Sequence, residues 1–367
     1  MEVTTLSVFP MNATTEIGED FYDNPFGNRT SDSSARLRDS LRIMSVVIYS
    51  LAFVLGVLGN GVVIWVTGFV MKKTVNTVWF LNLAVADFLF TAFLPFSAAY
   101  TALRFHWPFG TFMCKLSGAV NALNMFASVY ILTVISVDRC VSVVIPVWAQ
   151  NHRSVRKAYR VIVCVWVLAL VLSIPFFVFR DTGPSFFSED VINCLNNFVF
   201  SDDNTPELNQ LRLFRHQAIT VTRLLLSFVL PFAVIVSCYA TIIHRVRRNP
   251  NLAGHSSRTF KIIAAVIIVF FLCWAPFHIL VLIELTSYTH TSAAFQNAVT
   301  LASPIATSLA FINSCLNPLL YVFMGQDFKD KVLKSVVKAL ETAFQEEASH
   351  AHSKTVETSQ GNESGYV

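Results

Sequence analysis

The chain has 367 residues, of which 54% are hydrophobic and only 14% charged, and its formal net charge is +4. Soluble domains carry about 25% charged residues, so this composition indicates a chain whose surface is largely covered by lipid. The small net charge gives no reason to expect nucleic acid as a partner. The polar residues do not form the nucleophile, base and acid set of an enzyme, so we expect no catalytic activity.

Seven segments have the roughly 20 mostly apolar residues that a membrane crossing requires. In chain order they cover residues 44–70, 77–100, 111–143, 159–179, 219–246, 259–286 and 295–324. We predict an all-α fold, a seven-transmembrane helix bundle over residues 44–325 that follows an extracellular tail, residues 1–43. Residues 326–341 have an amphipathic pattern rich in Lys, which predicts a short eighth helix on the lipids of the inner membrane surface. A polar cytoplasmic tail, residues 342–367, completes the chain.

Charge in the loops predicts the orientation. Most loop Lys and Arg residues lie in the first, third and fifth connections, which include Lys72, Arg153 and Arg247. Because positive loops stay in the cytoplasm, we place the amino terminus outside the plasma membrane and the carboxyl terminus inside. Asn12 and Asn28 begin Asn-x-Thr sequons in the outer tail, and we predict that both are glycosylated.

The outer tail is acidic before residue 35. An acidic tail would attract a basic protein ligand and speed the encounter. Tyr22 lies between Asp20 and Asp23, a context that favours sulfation. The alternative is a disordered leader that only keeps the chain soluble.

Asp87 lies midway along the second segment, where a polar group needs a partner or a function. Other segments offer neutral polar groups that suit it, namely Asn60, Asn124, Ser128, Asn313 and Asn317. A carboxylate ringed by neutral oxygens suits a small hard cation such as sodium. The alternative is a hydrogen-bond network that joins the helices without an ion. We expect no cofactor other than this ion.

Two more charged features lie near the ends of segments. Asp138-Arg139 closes the third segment, either as an interfacial pair that reaches the headgroups or as an ion pair that holds one state and can break. Arg223 lies about one turn into the fifth segment. It either reaches the headgroups or faces an inward cavity and awaits a carboxylate. Glu284, at the outer end of the sixth segment, is then its resting partner or a separate ligand contact.

Prolines and cysteines complete the set of special residues. Prolines recur within the segments, at Pro95, Pro175, Pro231, Pro276, Pro304 and Pro318. Each removes a backbone hydrogen bond and kinks its helix, which either creates a pivot or only shapes the packing. Cys114 and Cys194 both face the oxidising compartment, where we expect a disulfide.

The chain resembles the rhodopsin-like, class A family of G-protein-coupled receptors over nearly its whole membrane region. The matching motifs are Gly59-Asn60, Leu83-Ala84-Val85-Ala86-Asp87, Asp138-Arg139-Cys140, Trp166, Pro231 with Tyr239, Phe270 with Cys273-Trp274-Ala275-Pro276, and Asn317-Pro318-Leu319-Leu320-Tyr321. Each motif is weak alone, but one set per segment in the right order is specific. The segments around Trp79, Trp148 and Phe328 are similar to the chemoattractant-peptide branch of that family.

The resemblance implies a signalling mechanism. An agonist enters from outside and presses on the cavity floor near Trp274, and the sixth helix then swings outward about Pro276. The remaining switch residues are Asp138, Arg139, Phe270, Pro231, Tyr239, Asn317, Pro318 and Tyr321. Loosening of the Asp138–Arg139 pair lets Arg139 and Tyr239 accept a helix of the G protein, and the sodium site collapses. The resemblance assigns Asn124 and Ser128 to that site, which favours the ion over the network.

The branch also implies partners and ligands. Its members couple to inhibitory G proteins and arrestins, and the tail residues that suit a kinase are Ser353, Thr355, Thr358 and Ser359. We expect the free carboxylate of a peptide ligand to meet Arg223 in a cavity also lined by Asn121, Met125, Phe277, His278 and Glu284. Formyl-peptide, anaphylatoxin and lipid-mediator ligands are alternatives. A decoy receptor that does not signal and a seven-span transporter are alternatives from other classes.

Overall fold

A computed structural model describes residues 28–185, 190–200, 205–248, 257–287 and 293–324. The predicted eighth helix, the cytoplasmic tail with its four kinase candidates, Tyr22 and the Asn12 sequon lie outside these ranges. Asn28 begins the first helix, and its side chain is not among those described.

Within the described ranges, seven helices are long and apolar enough to cross a membrane, which confirms the predicted helix bundle. The spans are Arg36–Val70, Val75–Ala102, Gly110–Val144, Val155–Val178, Pro206–Arg248, Ile263–Leu285 and Ala298–Leu319, called the first to seventh helices below. Three of them continue beyond the span, and the first and the fifth change pitch. The first runs Asn28–Trp65 with a π-helical turn at Val66–Val70, the sixth runs Ser257–Ser287 and the seventh runs Ala293–Met324. A short helix, Pro146–His152, follows the third.

Two helices begin earlier than hydropathy predicted. The first starts at Asn28 and not near residue 44, and the fifth starts at Pro206 and not near residue 219. The early turns of both are polar, so a hydropathy window detects the apolar part and misses the polar extension. The sequence does contain local signals for the true start of the fifth helix, a Thr followed by a Pro. Thr205 caps the helix by accepting a hydrogen bond from Leu208 N at 3.3 Å, and Pro206 occupies the first turn.

A π-helical turn, Leu225–Val229, interrupts the fifth helix directly after Arg223 and Leu224, and the α-helix resumes as Leu230–Arg248. Such turns insert one extra residue and are frequent at functional sites. Pro231 follows the turn, whereas Pro276 and Pro318 lie inside the sixth and seventh helices.

A two-stranded antiparallel sheet, absent from the predicted all-α fold, lies at the end of the bundle where the third helix begins. Strand β1, Arg180–Pro184, pairs with β2, Ile192–Asn196, so that Thr182 lies opposite Cys194. Cys194 forms a disulfide with Cys114 at the start of the third helix, which confirms the predicted pair. The disulfide therefore fixes the hairpin to the start of the third helix.

The apolar side chains divide between two environments. Phe126, Ile131 and Phe270 are almost completely buried in one core that runs through the bundle. Leu58 and Leu272, by contrast, are 65% and 68% exposed. Exposed apolar surface of this extent is unfavourable in water and is what a bilayer would cover.

Candidate functional site

Arg223 lies inside the bundle with only 7% of its surface exposed. Its guanidinium carbon is 5.2 Å from the ring centroid of Phe277 and 5.8 Å from that of Phe176, within cation–π distance of both. Among the described residues, its Nε and Nη2 atoms have no hydrogen-bond partner. Arg223 is therefore held by aromatic faces and keeps donors available for an anion.

The position of Arg223 also disfavours the headgroup interpretation. With the fifth helix starting at Pro206, the residue lies about 25 Å along the helix axis and not one turn from its end. A side chain so far from the end and so buried faces the interior. Sequence analysis left both interpretations open, because it began the helix too late to show how far Arg223 lies along it.

Other titratable side chains surround Arg223. The carboxylate of Glu284 is close enough for the two charges to attract each other, and the charge of Arg223 also acts on His216 and His278. His278 Nε2 lies 3.4 Å from Ser227 Oγ, and that hydroxyl donates to the Arg223 carbonyl oxygen at 2.7 Å. The structure thus brings two of the predicted ligand contacts, His278 and Glu284, to Arg223.

The remaining predicted contacts lie on the third and sixth helices. Phe277 packs edge-to-face on Trp274, with centroids 5.8 Å apart. Met125 is buried, and the buried Asn121 Oδ1 has no partner among the described residues. Sequence reasoning missed Phe176, whose ring lies over Arg223, because an aromatic residue after Pro175 in an apolar helix carries no distinguishing signal.

An aromatic series leads from Arg223 toward the bundle centre. Beyond the Phe277–Trp274 contact, Trp274 lies 6.0 Å from Phe270, and Phe270 lies 5.4 Å from Phe271, between centroids. Trp274 is 3% exposed. A ligand that displaces Phe277 would therefore disturb the ring of Trp274 directly, because packed interiors transmit displacement.

Asp87 is fully buried at the centre of a polar cluster. Asn317 Nδ2 donates to Asp87 Oδ2 at 2.7 Å, which confirms that these two groups meet. The Asn124 amide lies 2.9 Å from Ser314 Oγ and 3.2 Å from Ser128 Oγ. The amide of Asn124 can be placed in two orientations, and in one of them both its oxygen and its nitrogen are hydrogen-bonded. In that orientation the nitrogen donates to Asp87 Oδ1 at 3.2 Å.

This cluster fits a sodium ion. It offers the carboxylate of Asp87, the hydroxyl of Ser128 and amide oxygens. Hard cations select this kind of set, which combines an anionic oxygen with neutral ones. Ser314 was missed, since a serine in an apolar helix is unremarkable in sequence. Asn313 is buried, and neither end of its amide is hydrogen-bonded among the described residues. Asn60 Nδ2 donates to Ser314 O at 2.9 Å and ties the first helix to the seventh.

Near the carboxyl-terminal end of the third helix, Asp138 accepts hydrogen bonds from two arginines. Arg139 Nη2 lies 3.2 Å from Asp138 Oδ2, while Arg153 reaches both carboxylate oxygens, at 2.8 and 3.0 Å. Both guanidinium groups also donate to Asn76 Oδ1 on the second helix. Sequence analysis found the Asp138–Arg139 pair but missed Arg153 and Asn76, since loop conformation brings them there.

Three further predicted switch residues, Tyr239, Pro318 and Tyr321, lie on the fifth and seventh helices. Tyr239 lies close enough to Arg139 for the guanidinium charge to act on its hydroxyl group. Pro318 is buried in the seventh helix. Tyr321 belongs to that helix, but its side chain lies outside the described part.

Arg180, the first residue of β1, is a second cation of the outer region. Its Nε donates to Cys194 Sγ at 3.3 Å and its Nη1 to Asn196 Oδ1 at 3.0 Å. Burial lowers the pKa of its guanidinium. Unlike Arg223, it directs donors to the facing strand β2 and so fastens the two strands of the hairpin to each other.

Comparison with known proteins places this geometry in context. Residues 59–321 match the family model described as the 7 transmembrane receptor (rhodopsin family). The chain is 49% identical over 317 residues to Chemerin-like receptor 1 of Sus scrofa, covering 85% of each chain. It is 41% identical over 351 residues to the C3a anaphylatoxin chemotactic receptor of Danio rerio, covering 95% of this chain and 91% of that one. It is 39% identical over 320 residues to N-formyl peptide receptor 3 of Pan troglodytes, covering 87% and 90%.

Proposed function

Because the chain belongs to the rhodopsin family of seven-transmembrane receptors, we propose that it is a receptor for a chemerin-like chemoattractant protein or peptide and signals through inhibitory G proteins and arrestin. It is a multi-pass protein of the plasma membrane and a signalling receptor, not an enzyme. The names of its relatives support this ligand class, since chemerin, an anaphylatoxin and formyl peptides are all chemotactic or peptide ligands. The amino terminus is outside the cell and the carboxyl terminus is in the cytoplasm.

The buried Arg223 is the observation that carries the proposal. A cation with unused donors, held between two aromatic rings at the outer half of the bundle, suits the free carboxylate of a peptide C-terminus. Glu284 compensates part of its charge in the absence of ligand. An arriving carboxylate replaces that attraction with direct hydrogen bonds.

The signal then follows the aromatic series. The ligand at Arg223 displaces Phe277, the Trp274 ring moves, and the sixth helix bends at Pro276. Opening of the bundle releases Asp138 from Arg139. Arg139 and Tyr239 then accept a helix of the G protein.

Sodium bound at Asp87 opposes this change, because an ion that binds the resting arrangement stabilises it. Asp87, Asn124, Ser128 and Asn317 would hold it. In membranes from expressing cells, raising sodium should lower agonist affinity about tenfold, and Asp87→Asn should abolish that dependence. A sodium effect that persists in Asp87→Asn excludes this site, and potassium serves as the ionic-strength control.

The decisive experiment measures inhibition of cAMP in cells expressing the full chain, challenged with a C-terminal chemerin peptide as free acid or amide. Arg223→Ala should raise the half-maximal concentration of the free acid at least about 30-fold, equivalent to about 2 kcal/mol. On the wild type, amidation should raise the half-maximal concentration of the peptide by a similar factor. On Arg223→Ala, amidation should cause no further increase, since the same contact is already lost.

Arg215→Ala is the matched control. Arg215 lies two turns earlier on the same helix, donates to Phe198 O at 2.8 Å and lies over Phe179, so the difference between free acid and amide should persist. Equal potency on the wild type and Arg223→Ala, at equal surface expression, would exclude the carboxylate contact. Formyl peptides and anaphylatoxins are the comparators, and a response to those alone would select the alternative ligand classes. Pertussis toxin and an arrestin recruitment assay test the proposed coupling.

A further inference from the structure

A cavity of about 380 Å³ lies beside the Asp138–Arg139 pair, among the second, third and fourth helices and the short helix Pro146–His152. Its volume falls within the roughly 300–1,000 Å³ of small-molecule sites. Its apolar lining includes Val75, Trp79, Val137, Val141, Trp148 and Val161. We call this space the inner cavity. It is remote from the Arg223 site, and one of its lining residues, Asp138, is the carboxylate that pairs with Arg139 in the mechanism above.

The inner cavity opens toward the outer surface of the bundle. Three of its lining residues, Val137, Trp148 and Val161, are 41%, 51% and 40% exposed. They therefore line the cavity and also reach the surface that a bilayer covers. An apolar chain can enter from the lipid without crossing water or breaking a helix.

One edge of the inner cavity is polar and basic. His152, Arg153 and Lys157 lie there. Asp138 is the one carboxylate among the lining residues that the structure describes, and Arg139 and Arg153 already compensate its charge. The exposed ammonium group of Lys157 therefore complements an anion at this edge.

We propose that the inner cavity binds one acyl chain of an anionic phospholipid, with the headgroup phosphate against Lys157. The apolar lining takes the chain, and the basic edge selects the charge. Under the proposed orientation this edge faces the cytoplasmic leaflet, where anionic lipids concentrate. Only that choice of leaflet rests on the proposed function.

The test uses the full chain in phosphatidylcholine nanodiscs that contain a small fraction of phosphatidylserine with a diazirine on its acyl chain. Irradiation should label peptides from residues 134–161. Val161→Trp, which fills the mouth of the cavity, should reduce labelling at least about fivefold. Val163→Trp is the matched control, because Val163 is on the same helix, 59% exposed and not part of the lining. Ser142→Leu fills the cavity from the third helix and replaces Val161→Trp should that variant not fold.

The headgroup is tested separately. Lys157→Gln should reduce phosphatidylserine labelling about threefold, whereas Arg156→Gln, at an exposed neighbouring position outside the lining, should not change it. Phosphatidylcholine carrying the same diazirine chain should label more weakly. Unchanged labelling in both cavity-filling variants, equal labelling by the two phospholipids, or labelling by a diazirine fatty acid alone would each overturn the proposal. The agonist response is measured on the same preparations, so failure here is distinguishable from failure of the receptor assignment.

Discussion

The two ends of the bundle use arginine in different ways. At the outer end, Arg223 lies between aromatic rings with two donor atoms unused. At the other end, Arg139 and Arg153 share the carboxylate of Asp138 and the amide oxygen of Asn76. Arg223 has no carboxylate hydrogen-bonded to its Nε or Nη2 among the described residues. Arg139 and Arg153, by contrast, both donate to Asp138 and Asn76 and so join the second and third helices, although Arg139 Nε also has no partner among those residues. The proposed roles differ accordingly, an anion site in one region and a restraint in the other.

The largest effect should come from Asp138→Asn, which removes the carboxylate that both arginines share. Losing one partner of a buried ion pair costs about 3 kcal/mol or more, and Asp138 and Arg139 are only 14% and 12% exposed. Basal signalling should rise and thermal unfolding of the purified receptor should begin at lower temperature. Asp39→Asn, which breaks the exposed Asp39–Arg42 pair, should change neither property. Wild-type basal activity in Asp138→Asn would show that the pair does not restrain the receptor.

Asn76→Ala should also raise basal signalling, but by less than Asp138→Asn. It deletes the neutral acceptor of two charged donors, and a hydrogen bond to a charged group contributes about 1.5–3 kcal/mol. We expect a several-fold rise in basal signalling in a cAMP assay. Asn82→Ala is the control on the same helix, since Asn82 Oδ1 accepts from the neutral Trp166 indole at 3.0 Å and not from an arginine. Basal activity that rises equally in both variants would point to general loosening of the second helix.

Phe277→Leu should have the smallest effect of the three. It removes one of two aromatic faces over Arg223, worth about 0.5–2 kcal/mol, while the guanidinium and its unused donors remain. Agonist potency should fall about three- to tenfold in a dose–response assay. Phe112→Leu, at an exposed ring on the third helix, should leave potency unchanged. A loss as large as that of Arg223→Ala would mean that the ring, and not the cation, carries binding.

Hydropathy was sufficient to predict the seven spans, because each needs only a long apolar run. It could not predict the polar early turns of the fifth helix before Arg223. Nor could it predict the β1–β2 hairpin, because the two strands are short and partly polar. Asp87 and Asp138 were found from sequence since charged residues in apolar segments are conspicuous. Their partners Ser314, Asn76 and Arg153 were not, because ordinary polar residues become partners only once helix rotation and loop path are known.

The π-helical turn after Arg223 has a consequence for how the fifth helix can be read and altered. One additional residue in a turn rotates everything upstream by about 100° relative to everything downstream. A helical wheel drawn continuously through Leu225–Val229 therefore assigns the outer residues to the wrong face. Shortening that stretch by a single residue would swing the guanidinium away from Phe277 toward the lipid, although no side chain of the cavity had been replaced.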